Sequence, residues 1–527
     1  MLYRLTGILL VVVSVFAVVA HHLGWSLPTL DWFFSFDTKE KELESASWWE
    51  RSKGTIIGYL LCSLLLAAGV LSLLRRGQKV NWNPQTLSKL KRFKSITRGY
   101  ISLWILAGLL FITLLDHALV GKKALLVKYD GNLYAPAFVK RSYTGEDFGQ
   151  NGKSEADYRA LKKVFESERG GENYVLLPLI PFDATFDSAE PLPENLKEIE
   201  GVFYREGAQE PFSGVGYRYY ADDAESRHSM VGFRKGIRQG REEYYGRSGG
   251  DMIGYFEWKD GVRSADPVMG AELVRAAEKE KTTELRAVSY PPLPPSLKTR
   301  HYLGTDSRGW DVLAQIYGGL QLVFQAAFIY IGVTYVIGIA LGSLMGYLGG
   351  VFDIVAQRFI EILANVPFLY VVIIIADRLG REDVTLITIL LVLCIFSWIG
   401  ITYYMRTAAY REKARDYVAA ARVLGAGPFR VIFRHVLPNA ISIVVTLLPF
   451  SVVGVITALT ALDFLGFGLP DTYPSWGRIL EDGVGNLDYP WIVASVFGGM
   501  VCVLLLVTFV GEAVREAFDP KKFTTYR

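Results

Sequence analysis

Long apolar runs alternate with charged loops along this chain. Runs of roughly 17–25 apolar residues are long enough for a helix to cross a bilayer. Eight such runs occur, at residues 5–23, 54–74, 99–119, 320–348, 359–376, 384–404, 440–462 and 491–511. They predict an all-α polytopic membrane protein with about eight transmembrane helices. The first run could also be a cleaved signal peptide, although it is long for that role and no small-residue cleavage site follows it.

Basic residues are concentrated in two of the loops between these runs. Residues 75–98 hold eight Lys or Arg and no acid, and residues 405–437 hold seven basic residues and two acids. The loops at 23–53 and 463–488 are mainly acidic. Short loops rich in Lys and Arg stay in the cytoplasm. An arrangement of eight spans with both termini in the cytoplasm places both basic loops inside and both acidic loops outside.

The same threading places residues 120–319 outside the cytoplasm as one large insertion. Its length of about 200 residues is enough for a folded domain. Its aromatic, Gly-rich and mixed-charge sequence predicts an α+β domain. Within it, residues 271–286 predict a short charged helix, and the Pro-rich residues 289–296 predict an extended connector back to the membrane.

A short repeat lies within this insertion. The tetrapeptide YRYY at Tyr217 recurs as EEYY at Glu242, and FRKG at Phe233 recurs as WKDG at Trp258. Aromatic segments that end in Lys-Gly or Asp-Gly turns predict β-hairpins, here over about residues 201–261. The unit resembles MORN-type repeats, and a generic hairpin pair is the alternative.

Composition limits the classes of function. Apolar residues make up 51% of the chain and charged residues 21%, so the charges must be segregated from the apolar runs. The net charge of +3 is too small to indicate nucleic-acid binding. Cys62, Cys394 and Cys502 each lie in an apolar run, which leaves no disulfide framework for the polar regions.

The second basic loop has the most informative sequence. Its pattern predicts an amphipathic helix over residues 412–424, with the small residues Ala419 and Ala420 open to a partner. Gly425 follows where a left-handed residue ends a helix. A second, basic helix then runs to Pro438. Such a loop is suited to docking a cytoplasmic partner, and an ordinary basic loop that only orients the membrane helices is the alternative.

This loop resembles the EAA loop of ABC-importer permeases, in which Glu-Ala-Ala precedes a Gly and a Leu-Pro pair at fixed gaps. Ala419 stands at the Glu position, and the preceding Tyr-Val is the usual form in the dipeptide/oligopeptide branch. The resemblance implies that the loop couples to the ATPase subunits through Arg415, Asp416, Tyr417, Ala420, Ala421, Gly425, Leu437 and Pro438.

Three further blocks resemble the same branch. They are LGTDSRGWDVL from Leu303, GYLGG from Gly346 followed by Asp353, Arg358, Glu361 and Pro367, and LDFLGFGLP from Leu462 followed by Pro474 and Gly477. Within the branch the chain is most similar to Yej-type permeases, which are associated with import of oligopeptides and microcin C. The resemblance assigns structural roles to Gly304, Thr305, Asp306, Gly309, Asp311, Asp463, Gly466, Gly468 and Pro470. It identifies no substrate-binding residue.

The resemblance implies a six-span type I importer core with additions at its N-terminus and in the insertion. The expected parts are two extra transmembrane helices and a basic cytoplasmic loop (1–98), the first core helix (99–119), the extracytoplasmic domain (120–319), a five-helix permease core (320–511) with the coupling loop (405–437), and a cytoplasmic tail (512–527). The family gives no role for the first two spans or for residues 189–289.

The resemblance also implies the partners. They are a second permease in a heterodimer, two cytoplasmic ABC ATPases, an extracytoplasmic peptide-binding protein, the peptide and membrane lipid, all at a bacterial inner membrane. The sequence has no phosphate-binding Walker A motif and no legible catalytic set. We therefore expect a transport subunit that is not an enzyme and binds no cofactor or metal, with ATP and Mg²⁺ used by the partner ATPases.

Some alternatives stay open from the residues alone. The chain could be a membrane sensor whose outer domain binds a ligand, a membrane-embedded hydrolase, or an exporter. Two charge pairs three residues apart, Arg358 with Glu361 and Glu512 with Arg515, lie near the predicted membrane boundary. Pairing along one helix face or snorkelling is the simplest interpretation of each pair, and a role in the membrane is the alternative.

Overall fold

The computed structural model describes residues 2–25, 48–74, 84–150, 154–167, 173–189, 192–205, 209–221, 223–247, 251–289, 291–380 and 384–518. It divides into two compact units, which are Met1–Asp187 with Pro294–Asp306 and Trp310–Arg527, and Ser188–Leu293 with Ser307–Gly309. Most of the predicted acidic loop 23–53, part of the basic loop 75–98 and most of the tail 512–527 lie outside the described residues.

Helices form most of the first unit. In chain order, the helices of the described residues are α1 (Leu2–Leu23), α2 (Trp48–Leu74), α3 (Pro84–Ser95), α4 (Thr97–Thr113), α5 (Tyr158–Ser167), α6 (Ala271–Ala277), α7 (Val312–Leu348), α8 (Gly350–Ala364), α9 (Phe368–Leu379), α10 (Leu386–Lys413), α11 (Asp416–Val423), α12 (Pro428–Val431), α13 (Leu437–Phe464), α14 (Trp476–Gly485) and α15 (Pro490–Phe518). A π-helical turn, Ile432–Val436, joins α12 to α13.

Strands form a small sheet in the first unit and a large one in the second. They are β1 (Leu126–Tyr129), β2 (Asn132–Tyr134), β3 (Tyr174–Leu176), β4 (Leu192–Ile199), β5 (Val202–Arg205), β6 (Gly214–Tyr220), β7 (Asp223–Arg234), β8 (Ile237–Tyr245), β9 (Met252–Lys259), β10 (Val262–Arg263) and β11 (Arg286–Ser289).

Four helices of the described residues are long and apolar enough to cross a membrane: α7, α10, α15 and the continuous helix Pro428–Phe464. Two bent pairs, α3–α4 at 91° and α8–α9 at 67°, raise the number to six if each pair is one span. The apolar parts of α1 and α2, Gly7–Leu23 and Gly58–Leu73, are shorter. A helix therefore occupies every predicted position, while length and composition support four to six spans.

Helices α7 and α10 pack closely along their length. Gly338, Gly342 and Gly346 recur every fourth residue of α7 and face α10, where a β-carbon at Gly342 would collide with the carbonyl oxygen of Thr402. Small residues at this spacing let two helix backbones approach, which is how membrane helices gain packing energy without a hydrophobic driving force. The α7–α10 pair is thus a rigid centre of the helical unit.

Helix α15 packs against α4 and α13. Gly99 of α4 leaves room for Ala513 of α15, and Arg98 forms an ion pair with Glu512 at 3.5 Å. The sequence had suggested Arg515, on the same helix, as the partner of Glu512. Because α3 turns away from α4 at 91°, its Phe93 packs on the last turns of α15.

The extra helices α1 and α2 form an antiparallel hairpin with small residues at its interface. A β-carbon at Gly7 or Gly69 would press on the facing helix, and the Ser14 hydroxyl donates to the Cys62 carbonyl at 2.6 Å. Just beyond α1, the Gly24 carbonyl accepts the amide of Lys140 at 2.9 Å. This bond attaches the end of the hairpin to the segment that follows α4.

The first part of the predicted insertion belongs to the helical unit. Strands β2, β1 and β3 form a three-stranded antiparallel sheet in that order. Helix α5 covers it through Tyr158, Leu161 and Phe165, which pack with Val127 and Phe148. Residues 120–187 thus have a small core of their own.

The second unit is an eight-stranded antiparallel sheet in the order β10-β9-β8-β7-β6-β11-β4-β5. Its hairpins turn at Glu200-Gly201, Lys235-Gly236 and Asp260-Gly261, and both residues of each turn have positive φ, as a type I′ turn requires. The two latter turns end the repeated FRKG and WKDG tetrapeptides.

The sheet curls so that one edge meets a hairpin turn. The amide of Phe203 in β5 donates to the Gly236 carbonyl at 2.9 Å, and the Gly236 amide donates to the Phe212 carbonyl at 2.6 Å. The curl encloses a core of Leu196, Phe203, Phe212, Val231, Phe233, Leu285 and Ala287. Buried Glu242 accepts the indole N–H of Trp258 at 2.7 Å inside it.

The predicted helix over 271–286 is wrong beyond Ala277, where α6 ends. The following residues pair with a strand instead, because the amide of Thr283 donates to the Tyr219 carbonyl at 2.9 Å and Arg286 begins β11. Long-range strand pairing here outweighs the charge pattern that suggested a helix, and β-branched Thr282 and Thr283 suit the extended backbone.

Candidate functional site

The predicted coupling helix begins four residues later than the sequence indicated. Glu412 lies buried in the last turn of α10, and the extended backbone of Arg415 separates it from α11. The predicted helix over 412–424 is therefore wrong at its start. One continuous helix would place Glu412 and Tyr417, five residues apart, on different faces. The break instead brings their side chains together.

Tyr417 joins the loop helix to two spans. Its hydroxyl donates to the carboxylate of Glu412 in α10 at 2.5 Å and accepts a hydrogen bond from the side-chain amide of Asn439 in α13 at 3.0 Å. Burial, followed by the hydrogen bond to Glu412, raises the pKa of Tyr417 to about 12. The hydroxyl therefore stays protonated at neutral pH and remains a donor to Glu412.

One face of α11 is buried against the ends of the spans. Val418 and Ala421 point inward, and Val418 packs with Tyr347 at the end of α7 and with the turn after α12. Arg422 donates to the Tyr347 hydroxyl at 3.2 Å and lies over its ring. Together with Tyr417, these contacts attach one short helix to α7, α10 and α13.

Gly425 ends α11 in the left-handed conformation, with φ +81°. Its amide donates to the Arg422 carbonyl at 2.9 Å, and the Ala426 amide donates to the Ala421 carbonyl at 3.0 Å. This pair of bonds is a Schellman motif, which satisfies the last carbonyls of a helix and favours glycine. The sequence predicted this conformation for Gly425.

The outer end of the loop exposes apolar side chains. Val423 and Leu424 are each 87% exposed, and Phe429 is 69% exposed. Exposed apolar side chains close together in sequence, with basic Arg430 next to Phe429, are typical of a protein-binding surface. We call Val423, Leu424 and Phe429 the loop tip.

The remaining predicted coupling residues take different positions. Asp416 is exposed in the first turn of α11, and Ala420 is exposed beside buried Ala421. Leu437 and Pro438 begin α13, which continues from the π-helical turn. The loop thus brings together every predicted coupling residue, some on its surface and some in its anchor.

The predicted structural residues after α13 surround a buried carboxylate. Asp463 accepts the amide of Leu469 at 2.7 Å and the hydroxyl of Ser475 at 2.5 Å. A β-carbon at Gly468 would collide with this carboxylate, and Gly466 has φ +77°. Asp463 therefore organises the turn that ends at Pro470 and leads to α14.

A second buried carboxylate caps the N-terminus of α7. Asp311 caps the helix by accepting the Ala314 amide at 2.7 Å, and its other oxygen lies 2.8 Å from a ring nitrogen of buried His301. Asp306 accepts the amide of Trp310 at 2.8 Å. The preceding Thr305 is fully buried. Gly304 and Gly309, the other predicted residues of this segment, have φ +76° and +84°.

Sequence reasoning missed a charged clamp beside the coupling loop. Asp353 in the first turn of α8 accepts two hydrogen bonds of 2.6 Å from Arg406 of α10 and one of 2.6 Å from the Tyr410 hydroxyl. Asp353 and Arg406 are far apart in sequence, so no spacing pattern could have paired them. The clamp joins the start of the broken α8–α9 pair to the helix that leads into the loop.

Comparisons with known proteins give the family of this chain. Residues 338–524 match the family described as "Binding-protein-dependent transport system inner membrane component". The chain is 30% identical over 461 residues to the "Peptidoglycan transport system permease protein YejE" of Agrobacterium fabrum, covering 87% of this chain and 99% of that protein. The chain belongs to the YejE family of ABC-transporter permeases.

Two further relatives are also named as transport permeases. The "Inner membrane ABC transporter permease protein YejE" of Escherichia coli is 29% identical over 84% of this chain and 98% of its own length. The "Oligopeptide transport system permease protein OppC" of Haemophilus influenzae is 31% identical over 43% of this chain and 72% of its own length. The segment matched by the family model includes the coupling loop and both helices that flank it.

Proposed function

We propose that this chain forms half of the translocation pathway of an ATP-driven importer for peptides. Its expected partners are a second permease, two cytoplasmic ATPases and an extracytoplasmic peptide-binding protein. Peptides are the favoured substrate class because relatives named as oligopeptide and dipeptide permeases are similar to 43% and 48% of this chain. ATP and Mg²⁺ belong to the ATPases, since this sequence has no Walker A motif.

The observation that supports coupling best is the construction of the loop. Its tip is apolar and exposed, while Tyr417, Val418 and Arg422 attach its base to three spans. A partner that binds the tip and moves would therefore displace the ends of α7, α10 and α13 together. An ATPase can change the opening of a pathway only if its movement is transmitted to the spans through such rigid contacts.

We propose eight spans for the membrane threading, with both termini in the cytoplasm. The α1–α2 hairpin supplies the first two spans, and α3 lies along the cytoplasmic surface. Residues 120–319 then lie outside, as the charge balance of the loops requires. On this threading the coupling loop faces the ATPases.

The coupling proposal is tested with two glycines of the loop. Gly425 has φ +81°, whereas Gly427 has φ −67° and lies in open space, so only the first position resists a side chain. Gly425→Val should cost about 1–2 kcal/mol in local conformation because a β-branched residue disfavours the left-handed region. We expect Gly425→Val to insert normally but to lose ATPase co-purification and peptide uptake. Gly427→Val should insert normally and retain both properties.

A Gly425→Val protein that keeps both properties would contradict the docking role of the loop. Membrane insertion, measured as the amount of monodisperse protein extracted in detergent, distinguishes a folding defect from a coupling defect.

A further inference from the structure

Helices α8 and α9 form a sharply bent pair, and the break between them is exposed. The two helices meet at 67°, and the residues between them, Asn365, Val366 and Pro367, are all exposed. In a bilayer, irregular backbone is tolerated only where protein covers it or where it lines a water-filled cavity. Among the residues that the structure describes, none covers this break.

A polar stripe runs along the exposed face of α8 into the break. Arg358, Glu361 and Asn365 are spaced three and four residues apart, so they share one face. Nη1 of Arg358 donates to the Glu361 carboxylate at 2.6 Å, and the side-chain amide of Asn365 donates to the backbone carbonyl of Glu361 at 2.7 Å. Apolar Val351, Ile354 and Ile362 flank the stripe and are also exposed.

Arg358 is paired on its own helix. Its guanidinium forms an ion pair with Glu361, one turn further along α8, at 2.6 Å. Its side chain is nevertheless 74% exposed.

We infer that the Arg358–Glu361–Asn365 stripe lines the peptide pathway and binds the main chain and free carboxylate of the passing peptide. Ionisable groups in a span face the protein interior or water, and this stripe faces away from its own chain. Glu361 uses one of the five N–H donors of Arg358, which leaves the guanidinium able to hold a carboxylate. The adjacent Glu361 and Asn365 provide acceptors and an amide for peptide N–H and C=O groups.

This inference depends on the proposed peptide transport and is tested with two peptides that differ only at the C-terminus. The complete complex is reconstituted with a radiolabelled tripeptide bearing a free carboxylate or a carboxamide. Arg358→Gln should raise the apparent KM for the free-acid peptide by roughly tenfold, as loss of one charge-assisted hydrogen bond predicts. Uptake of the amide should change little.

Arg378→Gln, the same substitution in the last turn of α9, is the matched control and should not alter discrimination between the two peptides. If unpaired Glu361 impairs assembly of Arg358→Gln, the Arg358→Gln/Glu361→Gln double variant replaces it, with the same expected loss of discrimination. Equal changes for both peptides, or no change in either, would overturn the inference.

Water access provides an independent readout. In a variant without the three native cysteines, Asn365→Cys should react with a water-soluble thiol reagent, and bound peptide should slow the reaction at least severalfold. Leu64→Cys on the exposed face of α2 should stay unreactive. An unreactive Asn365→Cys would also overturn the inference. Failure of the native complex to take up either peptide would instead contradict the proposed function.

Discussion

Single buried carboxylates determine the shape of two turns in this protein. Asp463 holds the turn after α13, and Asp311 holds the start of α7. A buried carboxylate is stable only when donors surround it, so each one fixes the backbone around it. Gly468 lets the backbone approach the carboxylate, and Gly466 takes a left-handed conformation, so the two glycines of the LDFLGFGLP sequence each have a physical reason.

Gly468→Ala tests this reason. The added methyl group would collide with the Asp463 carboxylate and displace it from the Leu469 amide and the Ser475 hydroxyl. We expect a loss of about 1–3 kcal/mol in the free energy of unfolding, as for overpacking in a core. Thermal unfolding in detergent measures the loss. Gly454→Ala, in the same helix as Asp463 but facing open space, should be neutral, and equal melting temperatures for the two variants would refute the assignment.

At the scale of elements, the glycine stripe of α7 sets the most extensive helix contact. Gly342 faces the Thr402 carbonyl of α10, whereas Gly332 of the same helix faces open space. Gly342→Ala should therefore separate the helices and lower the unfolding free energy by about 1–3 kcal/mol. Gly332→Ala should not. The yield of monodisperse protein and its melting temperature test the difference. Equal values for both variants would show that the α7–α10 contact does not determine the stability of the fold.

The positions of most helices could be predicted because long apolar runs leave few alternatives in a membrane protein. The details that depend on contacts distant in sequence could not. The predicted run 359–376 contains Pro367, a helix-breaking residue, but the hydrophobic pattern alone indicated one continuous span. The break before Asp416 allows a Glu412–Tyr417 contact that no propensity encodes. Strand β11 was missed because its partners, β4 and β6, are remote.

The candidate site was predicted unevenly for the same reason. Gly425 could be assigned a left-handed conformation from its place after a helix, since that preference is local. The contacts that anchor the loop, from Arg422 to Tyr347 and from Asn439 to Tyr417, join residues that only the fold brings together. A resemblance of motifs named the loop, and the structure shows how its base is held.

At the scale of the whole molecule, the proposed membrane threading predicts the accessibility of two loops. It would place Ser213, in the second unit, outside the cytoplasm and Leu424, in the loop tip, inside. In a variant without native cysteines, Ser213→Cys should react with an impermeant maleimide in intact spheroplasts. Leu424→Cys should react only after the membrane is permeabilised. The reverse pattern would contradict the proposed threading.

The most direct test of the whole account is peptide transport by the reconstituted complex. This chain, its second permease and two ATPases are placed in liposomes. The binding protein and labelled peptide are added on the side that corresponds to the outside of the cytoplasm. The account predicts ATP hydrolysis that the peptide-loaded binding protein stimulates, together with peptide accumulation that requires ATP. A chain that assembles with no ATPase, or that passes peptide without ATP, would contradict it.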